Sequence, residues 1–225
     1  MKLFVHIPKN GGMSIRKTPF YRSQVMIATP NNHKDMVYTA KVHTVMQQNK
    51  DADGFEHARL RDWNMGLRQK YRAFAIVRNP WSRVVSRYEF ARKVIYREQN
   101  QPEDYIDCSS FESFLETRHI WGNKEYFWHR AVRGWYPAME HVINERGKVA
   151  CDILRFEHMN EELPLYFSSL NKIEHRNITG YDQSTYKDYY NDSTIQIVAD
   201  WYKSDIDYWG FDFDTSATRK TIFKS

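Results

Sequence analysis

Apolar residues come in short runs along this chain, each closed by a polar or glycine-bearing turn. Leu3-Phe4-Val5, with Ile7, predicts a buried strand over 3–7, and Val25-Met26-Ile27 predicts a strand over 23–28. The unbroken run from Ala73 to Val77 predicts a buried strand over 73–78, and Ile153-Leu154 marks one near 150–155. The intervening polar and amphipathic stretches predict helices over 12–18, 43–49, 58–70, 80–99, 110–118, 161–170 and 193–207. Pro80 suits a first helical turn, and Ser109 or Ser110 opens the helix over 110–118. Residues 30–33, 50–57 and 99–104 read as turns and loops. Strands interleaved with helices make an α/β domain. With no repeat and no convincing linker, residues 1–225 are expected to form a single domain. The stretch 121–136 carries Trp121, Tyr126, Phe127, Trp128, Trp135 and Tyr136 without a clear period. It either packs the core or covers a cleft, since aromatic faces suit sugars and steroids.

Residues 4–16 combine these elements in a chemically pointed order. The first strand runs into Pro8-Lys9, then Gly11-Gly12 and Ser14, with a helix behind. Without side chains at 11 and 12 the backbone can bend tightly and approach a ligand. The first N–H groups of the following helix lack intrahelical partners and can point at phosphate or sulfate oxygens. Lys9 adds a point charge and Ser14 a hydroxyl donor. An ordinary strand–turn–helix with a surface lysine has the same features, so this segment alone leaves both readings open.

A second segment, Phe74 to Tyr88, shifts the balance. Arg78 falls at the C-terminal end of a strand, where open α/β sheets bind their ligands, and Ser86 lies about two turns into the helix behind it. An arginine fork there can hold a phosphate through two N–H groups while the serine closes one side. Arg83, Arg87 and Arg92 on the same helix read as a solvated basic face.

Together the two segments resemble the sulfotransferase superfamily that uses 3′-phosphoadenosine 5′-phosphosulfate (PAPS) as donor, and above all its carbohydrate and heparan-type branch. His6-Ile-Pro-Lys-Asn-Gly-Gly-Met-Ser14 is similar to that family's HIPKTGGTS, with Asn10 and Met13 where threonines are usual. Val77-Arg-Asn-Pro-Trp-Ser-Arg-Val-Val-Ser-Arg-Tyr88 is similar to its VRNPxxRxxSxY. Ile153 to Met159 resembles its vlRfEdl strand and turn, and Tyr186 to Phe211 its terminal helix. The resemblance implies a three-layer α/β sandwich with a central, mostly parallel sheet and a P-loop-like phosphosulfate-binding loop. It implies that Lys9, Asn10, Gly11, Gly12, Met13, Ser14 and Ile15 surround the 5′-phosphosulfate. Arg78 and Ser86, with Arg176 from a late loop, would hold the 3′-phosphate.

Sulfuryl transfer needs a base for the acceptor hydroxyl, a cation at the leaving oxygen and fixed donors on the sulfuryl oxygens. Lys9 is the expected cation, and Ser14 with the amides of Gly11 to Ile15 the expected donors, so the site is expected to be metal-free. His43, in Lys41-Val-His43-Thr44, resembles the family's HxT/S element and is the expected base; an imidazole titrates near neutral pH. His33 is a second candidate, Asp35 and Glu89 are weaker ones, and His6 reads as structural.

Composition narrows the partners. The net charge of +5 implies an anionic partner. Nucleic acid is one option, but the basic residues concentrate beside the two motifs, which a bis-anionic nucleotide explains more economically. The product would be 3′-phosphoadenosine 5′-phosphate (PAP), and the acceptor a hydroxyl of a sugar or small molecule. No apolar run approaches the ~18 residues of a spanning helix. The first strand begins almost at once, so a cytoplasmic protein without a membrane partner is expected. Two cysteines, Cys108 and Cys151, indicate neither a disulfide framework nor a zinc site. A P-loop kinase is excluded, because Gly-Gly-Met-Ser lacks the G-K-[ST] that would position lysine and magnesium. A non-catalytic nucleotide- or anion-binding module with the same fold stays as the alternative.

Overall fold

A computed structural model describes all residues except 49, 51–53, 96–105, 125–131, 171–182 and 215–225. Arg176, the loop over 99–104 and Tyr126 to Trp128 therefore lie outside the described residues. The order is β1 (Lys2–Val5), α1 (Gly12–Lys17), α2 (Pro19–Gln24), β2 (Val25–Ile27), α3 (Met36–Gln48), α4 (Met65–Lys70), β3 (Ala73–Val77) and α5 (Pro80–Ile95). It continues with α6 (Phe111–Trp121), α7 (Ala138–Val142), β4 (Asp152–Arg155), α8 (Met159–Tyr166), α9 (Asp192–Trp201) and α10 (Lys203–Trp209). Two compact units result, one from the described residues of Met1–Val77 and Ala138–Asn177, the other from those of Arg78–Pro137 and Ile178–Arg219.

The first unit is built on a sheet of order β2-β1-β3-β4, with every neighbouring pair parallel. The register sets Phe4 beside Phe74 and Ile76 beside Leu154. Side chains alternate between the faces of a strand, so these four share one face. They form a buried cluster with Ile15 of α1, Tyr21 of α2 and Met159 and Leu163 of α8. Leu3, Val5, Ala75, Val77 and Ile153 alternate with them on the opposite face and are also buried. A parallel sheet covered on both faces needs strands that are apolar throughout, which is why these runs show no alternation.

Local chemistry moves several expected boundaries. The strand over 23–28 shrinks to Val25–Ile27 because Pro19, at the first helical position, opens α2 immediately before it. α3 starts at Met36 rather than near 43, since the Asp35 carboxylate accepts the Tyr38 amide at 2.9 Å and caps it. The helix over 58–70 divides into a 3₁₀ turn, Leu60–Asp62, and α4, which Asn64 caps through the Gly66 amide. The helix expected over 193–207 breaks at Tyr202, which leaves helical geometry between α9 and α10. α7 was not anticipated.

The second unit holds α5, α6, α9 and α10. Asn79 caps α5, its Oδ1 accepting the Trp81 amide at 3.1 Å, and Pro80 fills the first helical position. Ser110 caps α6 by accepting the Ser113 amide at 3.0 Å. Among the described residues no helix is long and apolar enough to cross a membrane.

Candidate functional site

The segment after β1 turns left twice within three residues, at Lys9 (φ 65°) and Gly11 (φ 82°). A lysine in that conformation costs about 1–2 kcal/mol. It persists only where the surroundings over-determine the backbone, a condition common at ligand clamps. Asn10 supplies the anchor. It is 1% exposed, and its Nδ2 donates to the Ile76 carbonyl of β3 at 2.9 Å. Through Nδ2 its side chain therefore grips the sheet and fixes the loop beside the expected ligand position.

Neighbouring side chains dictate both glycines. A Cβ on Gly11 would lie 2.9 Å from Met159 Sδ and from the Phe156 ring. On Gly12 it would lie 2.0 Å from His6 Nε2. What the loop leaves uncommitted is backbone. Among the described residues, the amides of Gly11, Gly12 and Met13 meet no acceptor. The Ser14 amide donates to the Gly11 carbonyl at 3.0 Å, so it drops out of the expected donor set. Ser14 is buried and Met13 half-buried, whereas Ile15 is fully buried in the core and offers only backbone.

In the second unit the Arg78 fork is already shaped. Its Nε and Nη2 donate to Ser82 Oγ at 3.0 and 2.7 Å, and Arg78 and Ser86 are both buried. Ser82 went unnoticed in the sequence, although its i+4 spacing from Arg78 was a usable signal.

The solvated basic face does not exist as expected. Arg83 and Arg87 are 1% and 0% exposed. Arg83 Nη1 donates to the Tyr136 carbonyl at 3.0 Å. Arg87 donates to the Tyr202 hydroxyl at 3.0 Å, and its guanidinium lies 4.0 Å from the centre of the Trp135 ring. Burial pushes the Arg87 pKa down to about 10, with the Tyr202 hydrogen bond opposing, so it stays charged at pH 7. Only Arg92 is exposed, 3.0 Å from Glu89. Glu89, offered as a weak base candidate, is held by that pair and by the Tyr189 hydroxyl at 3.2 Å.

The histidines separate clearly. His43 is exposed on α3, whose buried side carries Thr39, Val42 and Met46. His33 is 5% exposed and stacks on Tyr38 at 5.4 Å. Its Nδ1 accepts the Asp35 amide at 3.1 Å, so the neutral ring carries its proton on Nε2. Burial lowers the His33 pKa, against the pull of Asp62 and Asp35. His6 follows β1 and is 4% exposed, with its carbonyl accepting from His57 Nδ1 at 2.8 Å. Burial, then His57, Arg16 and His141, hold its pKa well below the usual histidine value.

A model of the sulfotransferase family matches residues 3–212. The chain belongs to the sulfotransferase family. No curated protein matches it. In this chain the late motifs buttress the early ones, unit by unit. Phe156 and Met159, which follow β4, lie against Gly11 in the first unit. In the second, the Tyr190 hydroxyl donates to the Trp81 carbonyl at 2.9 Å and Asn79 Nδ2 to the Asp212 carbonyl at 2.8 Å. Trp81 Nε1 donates to the Ile195 carbonyl at 3.0 Å. Sequence reasoning registered these motifs as family marks and missed their contacts.

Proposed function

We propose that this sulfotransferase moves a sulfuryl group from PAPS to an acceptor hydroxyl, on a carbohydrate or small molecule, by in-line displacement. The observation that carries the reading is the loop itself. Two left-handed turns present three uncommitted amides beside Lys9, within a family match that spans both motifs. Oxygens of a phosphosulfate suit such backbone donors, and the missing Cβ atoms let the chain approach closely.

The donor brings the sulfuryl group on an oxygen that bridges to the 5′-phosphate. In this reading the amides of Gly11, Gly12 and Met13, with the Ser14 hydroxyl, hold the sulfuryl and phosphate oxygens. Lys9 compensates the charge that grows on the bridging oxygen as it departs, so PAP leaves as an anion. Arg78 and Ser86 take the 3′-phosphate, Arg78 exchanging its Ser82 contact for oxygens of higher charge. Arg176 is proposed beside them on the resemblance alone. His43 removes the acceptor proton as the oxygen–sulfur bond forms. His43 is solvent-exposed on α3, where an acceptor can reach it, whereas His33 is buried and its Nδ1 accepts the Asp35 amide.

The test is PAP release from PAPS, followed with a pool of sugar and phenolic acceptors, for the wild type and for K9A, R78A, H43A and H33A. Acceptor-dependent release that K9A and R78A abolish supports the proposal. Near-normal release in both would overturn it. PAP binding without release in the wild type would establish the non-catalytic alternative instead. Loss in H33A rather than H43A would reassign the base.

A further inference from the structure

His6 has no role in the mechanism just given, yet its surroundings are unusual for a structural residue. It is 96% buried by its 4% exposure, and Nδ1 is wholly buried without a hydrogen-bond partner. No described residue bonds Nε2 either, and that atom lies where the side chain of Gly12 would begin. The ring is fixed in place. It stacks at 5.3 Å on Phe4 and sits 4.3 Å from the His57 ring, and its own carbonyl accepts from His57 Nδ1. A phenylalanine would fill the same space without an N–H to satisfy, so an apolar core would be better served by one. A polar ring kept unpaired against an anion-binding backbone points to a partner that arrives with the ligand.

We propose that His6 is a binding residue for the donor nucleotide, its Nε2–H donating to an oxygen of the anionic group held by the Gly11–Met13 backbone. This rests on the PAPS reading. Gly12 is then glycine because the imidazole must reach past the position its Cβ would take. The donor is a neutral imidazole. Burial beside His57, Arg16 and His141 disfavours the imidazolium, so the contact needs no protonation at pH 7.

The experiment compares PAP binding, by calorimetry and thermal shift, in the wild type, H6F and H6Q. Phenylalanine keeps the shape and removes both nitrogens, and glutamine keeps an N–H near the Nε2 position. H6F should melt at or above the wild type without ligand and bind PAP about tenfold more weakly, as loss of one charge-assisted hydrogen bond requires. H6Q should retain most of the affinity. Wild-type affinity in H6F would overturn the proposal, because packing would then account for His6 entirely. Should H6F fail to fold, H6N serves in its place: its N–H lies at the Nδ1 position, so it should bind weakly where H6Q binds well. Equal affinity of the two would also overturn the proposal. Failure of the wild type to bind PAP would be a different result, removing the donor reading itself.

Discussion

The glycine loop and the start of α5 are both suited to anions, and they are built in opposite ways. The loop offers backbone. Its shape is forced by side chains beneath it (His6 at Gly12, Phe156 and Met159 at Gly11) and by Asn10 gripping β3. The helix offers side chains. Arg78 just before it and Arg83 and Arg87 within it are buried and held by hydroxyls, carbonyls and aromatic faces: Arg78 on Ser82, Arg83 on Tyr136, Arg87 on Tyr202 and Trp135. One region is set by what it cannot accommodate, the other by what it cannot leave unpaired. Added atoms should break the first, and deleted hydrogen bonds the second.

The largest expected effect separates function from stability inside the loop. K9G relieves the left-handed strain and should stabilise the fold by up to about 1 kcal/mol, since glycine adopts that conformation freely. Transfer should nevertheless fall by about a thousandfold, the scale of losing one preorganised group at a developing charge. Urea unfolding and PAP release measured on one preparation would check both. Lower stability together with retained transfer would contradict the account.

Next comes steric intolerance. G12A drives a methyl into the His6 ring and should cost about 1–3 kcal/mol through overpacking, besides abolishing PAP binding. The paired variant G12A/H6A, which makes room, should recover stability but not full affinity.

The helix should respond to deletion. R87M fills similar space but strands the Tyr202 hydroxyl, and a loss of about 2 kcal/mol in urea is expected. A neutral result would mean that the Tyr202 hydrogen bond contributes no more than burying the guanidinium costs.

Much of this contrast was legible in the sequence, though not its causes. Apolar runs located the four strands among the described residues, because a sheet buried on both faces cannot disguise them. The order Lys9, Gly11, Gly12, Ser14 and the Arg78–Ser86 pair were visible as motifs. The burial of Arg83 and Arg87 was not, since charge on a helix reads as a solvated face unless the distant Tyr136, Tyr202 and Trp135 are known. Tyr202 breaks the last helix through tertiary packing, which no local pattern records. The demand for Gly12 comes from a ring six residues earlier, and that for Gly11 from a turn nearly 150 residues away.

The smallest effect is on pH dependence. His6 and His33 both titrate below the ordinary histidine value of 6.5 in the folded chain. The unfolded chain therefore binds more protons through that range, and stability rises with pH there. It should be complete above about pH 7.5 and decline as pH falls through 6.5, by at most about 1.4 kcal/mol per pH unit for each histidine. H6F should flatten that slope in urea unfolding from pH 7.5 to 5, and an unchanged slope would contradict the burial of a neutral His6.

The most direct test of the donor assignment is thermal unfolding with PAP, with ADP and ATP as controls. At about a hundredfold its dissociation constant, PAP should stabilise by about 2.7 kcal/mol, which raises the midpoint of a chain this size by about 5–10 °C. A shift specific to the 3′-phosphorylated nucleotide is the predicted result. No shift, or an equal shift with ATP, would contradict the assignment of the glycine loop and Arg78 to that donor.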